Sequence, residues 1–402
     1  MAALLPLVPT AMVAGGDALA RDGDGRVVFV TGALPGERVA ARVTEARRDF
    51  ARAVAVEVLD ASPDRVAPPC AALAAGCGGC TWQHVSPGAQ SRLKADLVLD
   101  ALRRIAHLAD PPVPRPLPLG GPALRTTARL AVSTDGRAGH RRRGQAGGAA
   151  AVATEDCLAA HPLLEELIVA GRYPGADEVL LRVGVASGER LVRPRAGAAV
   201  VVPTDVVVVG PGDGGPAAVH EEVAGRRFRI STDSFFQAGP VAATALVEAV
   251  DDAVGDALAV GGHLVDTYAG VGLFASVLGH RRRARVTAVE HHPAALADAR
   301  ANLADIDASI VAAEVGRWRS DPGQAPPDVV VADPSRPGLG RPGVAAVVAA
   351  GAPRVVLVSC DPASLARDTT LLGAGGYRLS SIALVDAFPH TFHTETVSRF
   401  DR

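Results

Sequence analysis

Cys360 closes an apolar run, Val355–Val358, and an Asp-Pro pair, Asp361-Pro362, follows it. A lone cysteine is more often inert packing. At the carboxyl end of a strand, beside the N-terminus of the next helix, it stands where the helix dipole favours a thiolate. Three acidic residues hold comparable places: Asp266 ends "HLVD", Glu290 ends "RVTAVE" and Asp333 ends "VVVAD". Ligands and chemistry in open α/β sheets gather at the carboxyl ends of strands, so these four side chains are expected to share one cleft. Gly270, Gly272 and Ala275 form G-x-G-x-x-A in strand-turn-helix context. Such a turn lets the backbone approach a ligand, and Glu290, about 20 residues on, suits ribose hydroxyls. Alone, the turn fits a nicotinamide dinucleotide, S-adenosylmethionine (SAM), or nothing more than tight α/β packing.

The other four cysteines form a second constellation. Cys70-x₆-Cys77-x₂-Cys80 with distant Cys157 offers four soft ligands, suited to an iron-sulfur cluster or to tetrahedral zinc. The alternative, buried unliganded cysteines, sits poorly with the compact "CGGC". An odd total of five argues against a disulfide framework. In "HTFHTE", His390, His393 and Glu395 are of metal-ligand type, but no second ligand cluster accompanies them, and histidines there suit packing or the positioning of a base. Arg141, Arg142 and Arg143 read equally as a solvated face or a phosphate contact. Trp82 is placed to stack on a base or to cover the cysteine cluster, the latter favoured.

The elements that must hold these residues fall into three stretches. Residues 1–62 read as short strands with turn punctuation, a small β-barrel. Residues 63–232 open on a Pro-rich linker and carry the cysteines, an amphipathic helix over 90–107 that packs on the last domain, and β-type segments from 124 onward. Residues 233–402 alternate strand and helix as a doubly wound parallel sheet. A chain of 402 residues supports two or three such cores. The formal net charge of -2 excludes an overall basic field, so any nucleic-acid contact relies on local patches. Lys94 is the one lysine among 41 basic residues. No apolar run reaches the ~18 residues of a membrane span, and the start lacks a basic n-region, so a cytoplasmic protein without membrane contact is expected. A monomer is the default expectation.

Five ordered motifs resemble the RNA (uracil-5-)methyltransferase family, SAM-dependent enzymes that make 5-methyluridine. "STDSFFQAG" is similar to the family's Phe-Gln motif, "DTYAGVGLF" to its SAM loop and "DPSRPG" to its Asp-Pro-x-Arg turn. "VSCDPASLARD" resembles its nucleophile motif, "DAFPHTFHTETV" its terminal motif with the general base, and "DGRVVFVTGALPGERV" a TRAM domain, an OB-like RNA-binding barrel. The resemblance implies a class I SAM-dependent methyltransferase fold, Rossmann-like, behind the TRAM barrel and a central mixed α+β domain. It implies Cys360 as nucleophile and Glu395 as base, with Gln237, Tyr268, Gly270, Gly272, Glu290 and Asp333 around SAM and the pyrimidine. It also implies a [4Fe-4S] cluster on Cys70, Cys77, Cys80 and Cys157, as in members acting on ribosomal RNA, although the first spacing is one residue longer than usual. Ribosomal RNA, 23S in particular, is the favoured substrate and transfer RNA the alternative. Ala269, Ser335, Gly239 and Asp361 depart from the commonest Cys, Pro, Asn and Asn. Two readings from other classes are an NAD-dependent oxidoreductase with Cys360 as a redox thiol and a catalytically silent RNA-binding protein. The first leaves the barrel and cysteine cluster without a role; intact Cys360 and Glu395 argue against the second.

Overall fold

A computed structural model describes residues 4–121, 124–143, 151–195, 198–210, 217–321 and 323–402. The first sheet has six strands, in the order Leu5–Leu7, Arg38–Ala46, Phe50–Asp60, Val27–Thr31, Ala18–Arg21 and Ala11–Met12. Burial alternates along Val27–Thr31, so Val28 and Val30 point inward with Ala18, Ala20 and Val39. Trp82 is fully buried in this core, and its Nε1 donates to the Gly16 carbonyl at 3.0 Å. It therefore neither stacks on a base nor caps the cysteines, because the barrel has claimed its ring.

The amphipathic helix runs from Pro87 to Arg104, three residues earlier at each end than its spacing predicts. Pro87 suits the first turn because its N–H would be unsatisfied there anyway. The far end closes before His107, which takes a φ of 54°. Ala89, Leu93 and Leu97 belong to the barrel's core, whereas Val98, Ala101 and Leu102 belong to the core of the last sheet. The helix is thus a bridge between the two. Gln90 and Lys94 sit four residues apart on it, both fully buried.

The central sheet orders Ala151–Ala153, Ala138–Arg141, Thr127–Val132, Glu178–Val183, Arg190–Pro194 and Val207–Val208. A hairpin of Ala218–Val223 and Arg226–Ser231 follows. Although the sequence groups this hairpin with the central region, Val219, Val223, Phe228 and Ile230 pack into the core of the last sheet. Asp298 ties it down, accepting from the Ser231 N–H at 2.8 Å and from the Ser231 and Ser234 hydroxyls, each at 2.5 Å.

The last sheet has eight strands, ordered Ala308–Ala312, Arg285–Glu290, His263–Thr267, Val329–Ala332, Arg354–Ser359, Thr396–Asp401, Arg378–Val385 and Arg115–Leu117. The first five are parallel, and every residue of Arg354–Ser359 is buried, as expected where helices cover both faces. Strand order reverses between His263–Thr267 and Val329–Ala332, which opens a crevice at their carboxyl ends. Thr396–Asp401 runs antiparallel between Arg354–Ser359 and Arg378–Val385. Among the described residues, no helix is long and apolar enough to cross a membrane.

Candidate active site

The antiparallel insertion decides the site. Ser359 pairs with Thr396, so the next residues out, Cys360 and Glu395, leave their strands side by side. Directly opposed residues in such a ladder have Cβ atoms about 4.5–5.5 Å apart. Glu395 is buried and Cys360 partly so. Asp333 follows the neighbouring strand, its N–H reaching the Thr267 carbonyl at 3.3 Å and its Oδ2 accepting from Gln237 Nε2 at 3.1 Å. Gln237 arrives from the loop after the hairpin, where Phe235 stands 74% exposed.

These acids raise one another's affinity for protons. Burial pushes Asp333 up to about 7 against the pull of its Gln237 hydrogen bond. Burial, then the charge of Asp333, lifts Glu395 well above the ordinary carboxylate range. Cys360 is pushed up to about 11, first by burial and then by Glu395 and Asp333, with Arg336 pulling the other way. The sequence pointed to a thiolate favoured by a helix N-terminus, and the structure corrects this. The helix Pro362–Ala374 does begin beside Cys360, but its first turn is capped by Asp361, whose Oδ1 accepts the Ser364 N–H at 2.7 Å. Desolvation and two carboxylates outweigh what remains of the dipole.

Across the crevice lies the glycine turn. Tyr268, Gly270 and Gly272 have φ of 62°, 56° and 87°. A non-glycine residue at Tyr268's φ is strained, a feature that clusters at functional sites. No atom lies within 4 Å of where a Cβ on Gly270 would point, so its backbone borders open space. Glu290 accepts from the Gly270 N–H at 2.9 Å and from the His291 and His292 N–H groups at 2.6 and 2.7 Å. Asp266 is wholly buried and pushed up to about 8, by burial first. Its Oδ2 accepts the Ala275 N–H at 2.9 Å, while Oδ1 has no partner. A buried polar atom without a partner, an open glycine cradle and an acid on the adjacent strand fit a small polar cofactor at the switch point.

The turn after Asp333 is pinned from the helix Pro362–Ala374. Asp368 accepts from the Leu339 and Gly340 N–H groups at 2.7 and 3.1 Å, and the Ser364 hydroxyl donates to the Arg336 carbonyl at 2.7 Å. Of the departures from the family pattern, Gly239 has a packing reason. A Cβ there would lie 2.1 Å from the Leu124 carbonyl oxygen, so asparagine requires that segment to shift. Asp361 makes the cap that asparagine would make, with a charge added.

His390 and His393 serve the loop that leads to Glu395. The His393 ring packs on Phe392 at 4.3 Å between centroids, and burial pushes its pKa down to about 4. His390 makes its contacts through Gln90 and Trp82. Among the described residues, no three or more His, Cys, Asp and Glu side chains gather to hold a metal ion.

Cys70, Cys77, Cys80 and Cys157 are all free of disulfides. Burial raises Cys77 and Cys80, and pushes Cys157 up to about 11; each of the three also feels the charge of other cysteines in the set. Cys80 and Cys157 pack in one apolar cluster and Cys77 with Cys70 in another, and the four do not gather as a metal-holding group among the described residues; Arg143 faces Cys77 and Cys80. The glycines of "CGGC" answer to packing: a Cβ on Gly78 would meet the Arg141 carbonyl at 2.6 Å, and one on Gly79 the His140 ring at 2.7 Å. The arginine run is partly a solvated face, with Arg142 exposed and Arg141 and Arg143 half-buried, and each of the three has a partner in the protein. Arg141 pairs with Glu178 at 2.7 Å, Arg142 donates to the Ala75 carbonyl at 2.5 Å, and Arg143 to the Cys80 carbonyl at 3.1 Å. The two residues that follow it, 144 and 145, lie outside the described residues.

Comparison with known proteins names the relatives of this arrangement. Residues 14–56 match the TRAM domain. An uncharacterized RNA methyltransferase of Streptomyces avermitilis is 39% identical, covering 96% of this chain and 95% of its own length. The 23S rRNA (uracil(1939)-C(5))-methyltransferase RlmD of Methylococcus capsulatus is 35% identical, covering 99% of this chain and 98% of its own. Among solved structures, the tRNA (uracil-54, C5)-methyltransferase of Pyrococcus abyssi, in complex with S-adenosyl-L-homocysteine, shares the fold. It has a TM-score of 0.75 over 98% of this chain and 100% of its own, at 22% identity. Relatedness along nearly the whole length, with an RNA-binding barrel where the sequence placed one, assigns the chain to the RNA (uracil-5-)methyltransferase family of enzymes.

Proposed function

We propose that the protein methylates C5 of a uridine in RNA, 23S ribosomal RNA in particular, with SAM as donor and a covalent adduct on Cys360. The observation that carries this is the side-by-side exit of Cys360 and Glu395 from paired strands, with Asp333 and Gln237 beside them. The 23S assignment rests on similarity to RlmD over almost all of both chains.

C5 of uracil is too weak a nucleophile to take a methyl group directly. Cys360, as thiolate, adds to C6 of a uridine swung out of its stack, and the ring becomes an enolate with electron density at C5. The turn at Gly270 and Gly272, with Tyr268, Glu290 and Asp266, would hold SAM, whose sulfonium would supply an electrophilic methyl group to C5. Once C5 carries both its proton and the methyl, Glu395 takes the proton, C5=C6 re-forms and the Cys360 thiolate leaves. Gln237 and Asp333 border the space between thiol and glycine turn, where they would orient the pyrimidine edge. The high proton affinities of Cys360, Asp333 and Glu395 mark a cluster awaiting positive charge, since three anions so close do not ionise together.

The test is tritium release from 5-tritiated uridine in 23S rRNA fragments, with transfer RNA in parallel and 5-methyluridine mapped in the product. Release from transfer RNA alone would move the substrate; release from neither would end the proposal.

At pH 7 a thiol near 11 is ionised to about one part in 10⁴. Alkylation of Cys360 by iodoacetamide, read by peptide mass spectrometry, should be slow at neutral pH and rise about tenfold per pH unit toward 11. SAM, with its sulfonium charge, should speed it at fixed pH more than S-adenosylhomocysteine, whose sulfur is a neutral thioether, does. A rate already flat above pH 7 in the free protein would contradict this.

Cys70, Cys77, Cys80 and Cys157 would hold the [4Fe-4S] cluster proposed here, in a structural role, since methylation requires no redox step. Their four free thiols and the spacing of Cys70, Cys77 and Cys80 support this reading, and binding would have to draw the four together. Anaerobically purified protein should be brown and contain about four irons. Colourless protein with stoichiometric zinc would overturn the cluster in favour of a zinc site.

A further inference from the structure

Glu395 lies at the end of an irregular stretch, residues 386–395, which leaves one strand at Val385 and re-enters the sheet at Thr396. A loop does not hold a base to catalytic tolerance by itself. Its internal bonds are few: the Thr391 hydroxyl donates to the Phe388 carbonyl at 2.8 Å, and the His393 N–H to Thr391 Oγ1 at 3.3 Å. The Val385 N–H closes its mouth on the Glu395 carbonyl at 2.8 Å.

The remaining anchors come from far away in sequence, the Asp386 N–H on the Leu117 carbonyl at 3.1 Å among them. Lys94 Nζ donates to Asp386 Oδ1 at 2.6 Å and to the Phe388 carbonyl at 2.9 Å. Gln90 Oε1 accepts the His390 N–H at 2.6 Å, and Gln90 Nε2 is itself held by the Val85 carbonyl at 2.8 Å. The Trp82 N–H donates to the His390 carbonyl at 2.8 Å. His390 has a φ of 61°, a conformation that a non-glycine residue keeps only where its surroundings impose it. Gln90 and Lys94, one helical turn apart, share a face and grip the loop at successive points.

We infer that Lys94 and Gln90 are positioning residues, a clamp from the bridging helix that sets the loop carrying Glu395. The inference rests on the proposed role of Glu395 as base. Lys94 is buried, where an ammonium needs partners to offset its desolvation, and the loop's Asp386 carboxylate and Phe388 carbonyl are those partners. In a chain otherwise confined to arginine, this site uses the compact ammonium, whose donors satisfy a carboxylate and a carbonyl together. The clamp bears on proton removal, the last chemical step, and leaves Cys360 and the glycine turn untouched.

The experiment uses full-length Lys94→Met and Gln90→Met, with Glu395→Gln as reference. Turnover, KM for RNA, SAM affinity and covalent protein–RNA complex on denaturing gels are measured together. The clamp variants should lose about 10²-fold in kcat, the scale of an ångström-level displacement of a catalytic group. They should keep SAM affinity and KM, and accumulate covalent complex as Glu395→Gln does. A merely structural role would lower turnover and adduct together. Such a parallel loss, or wild-type turnover in both variants, overturns the clamp while adduct in Glu395→Gln leaves the base assignment standing. Absence of adduct from all three overturns the base assignment and the clamp with it. If Lys94→Met fails to fold, Gln90→Met, which removes no charge, carries the same comparison.

Discussion

Cys360→Ala should abolish RNA methylation, by at least about 10⁴-fold, while SAM binding and the fold persist. Removing a nucleophile that makes the substrate reactive leaves no slower version of the same path, because uracil C5 without addition at C6 does not attack a methyl group. The side chain sits at a strand end, partly exposed, so truncation to alanine opens no core cavity. Stability should therefore change by less than about 1 kcal/mol. The measurement is methyl incorporation at saturating RNA, alongside calorimetric SAM binding and a thermal melt. Residual turnover within tenfold of the parent would rule out covalent activation.

Glu395→Gln should fail at a later point. Addition and methyl transfer do not require the carboxylate, so the reaction should stall with RNA attached to the protein, and turnover should fall by about 10²–10⁴-fold. Gln also removes a buried neighbour that raises the proton affinity of Cys360, so thiolate formation becomes easier. Adduct should therefore form at least as fast as in the parent while product release ceases. The two substitutions, 35 residues apart in sequence and adjacent across one strand pair, thus have opposite signatures on a denaturing gel.

Much of this arrangement was legible in the sequence, for local reasons. Val28 and Val30 alternate with half-buried neighbours, and the runs Val329–Ala332 and Val355–Val358 hold no polar residue, so barrel strands and buried parallel strands announce themselves. The glycine turn is a contiguous motif. What escaped depends on non-local contact. Nothing in "TVSRFD" says that it inserts antiparallel beside Arg354–Ser359, yet that register brings Glu395 to Cys360. The helix N-terminus beside Cys360 is visible in the sequence, but the two carboxylates that overrule it arrive from other strands. The place of Trp82 and the partners of the arginine run escape a sequence reading because the barrel core, Glu178 and the cysteine-loop carbonyls are distant in sequence. Lys94 carried one overlooked signal, a lone lysine where every other basic residue is arginine.

The most direct test of the central claim is mass spectrometry of the protein–RNA complex trapped by Glu395→Gln in the presence of SAM. A single nucleotide, heavier by one methyl group than uridine monophosphate, should be attached to the peptide that contains Cys360. An adduct on any of the other four cysteines, or a methylated product formed with no covalent complex at any time, would contradict it.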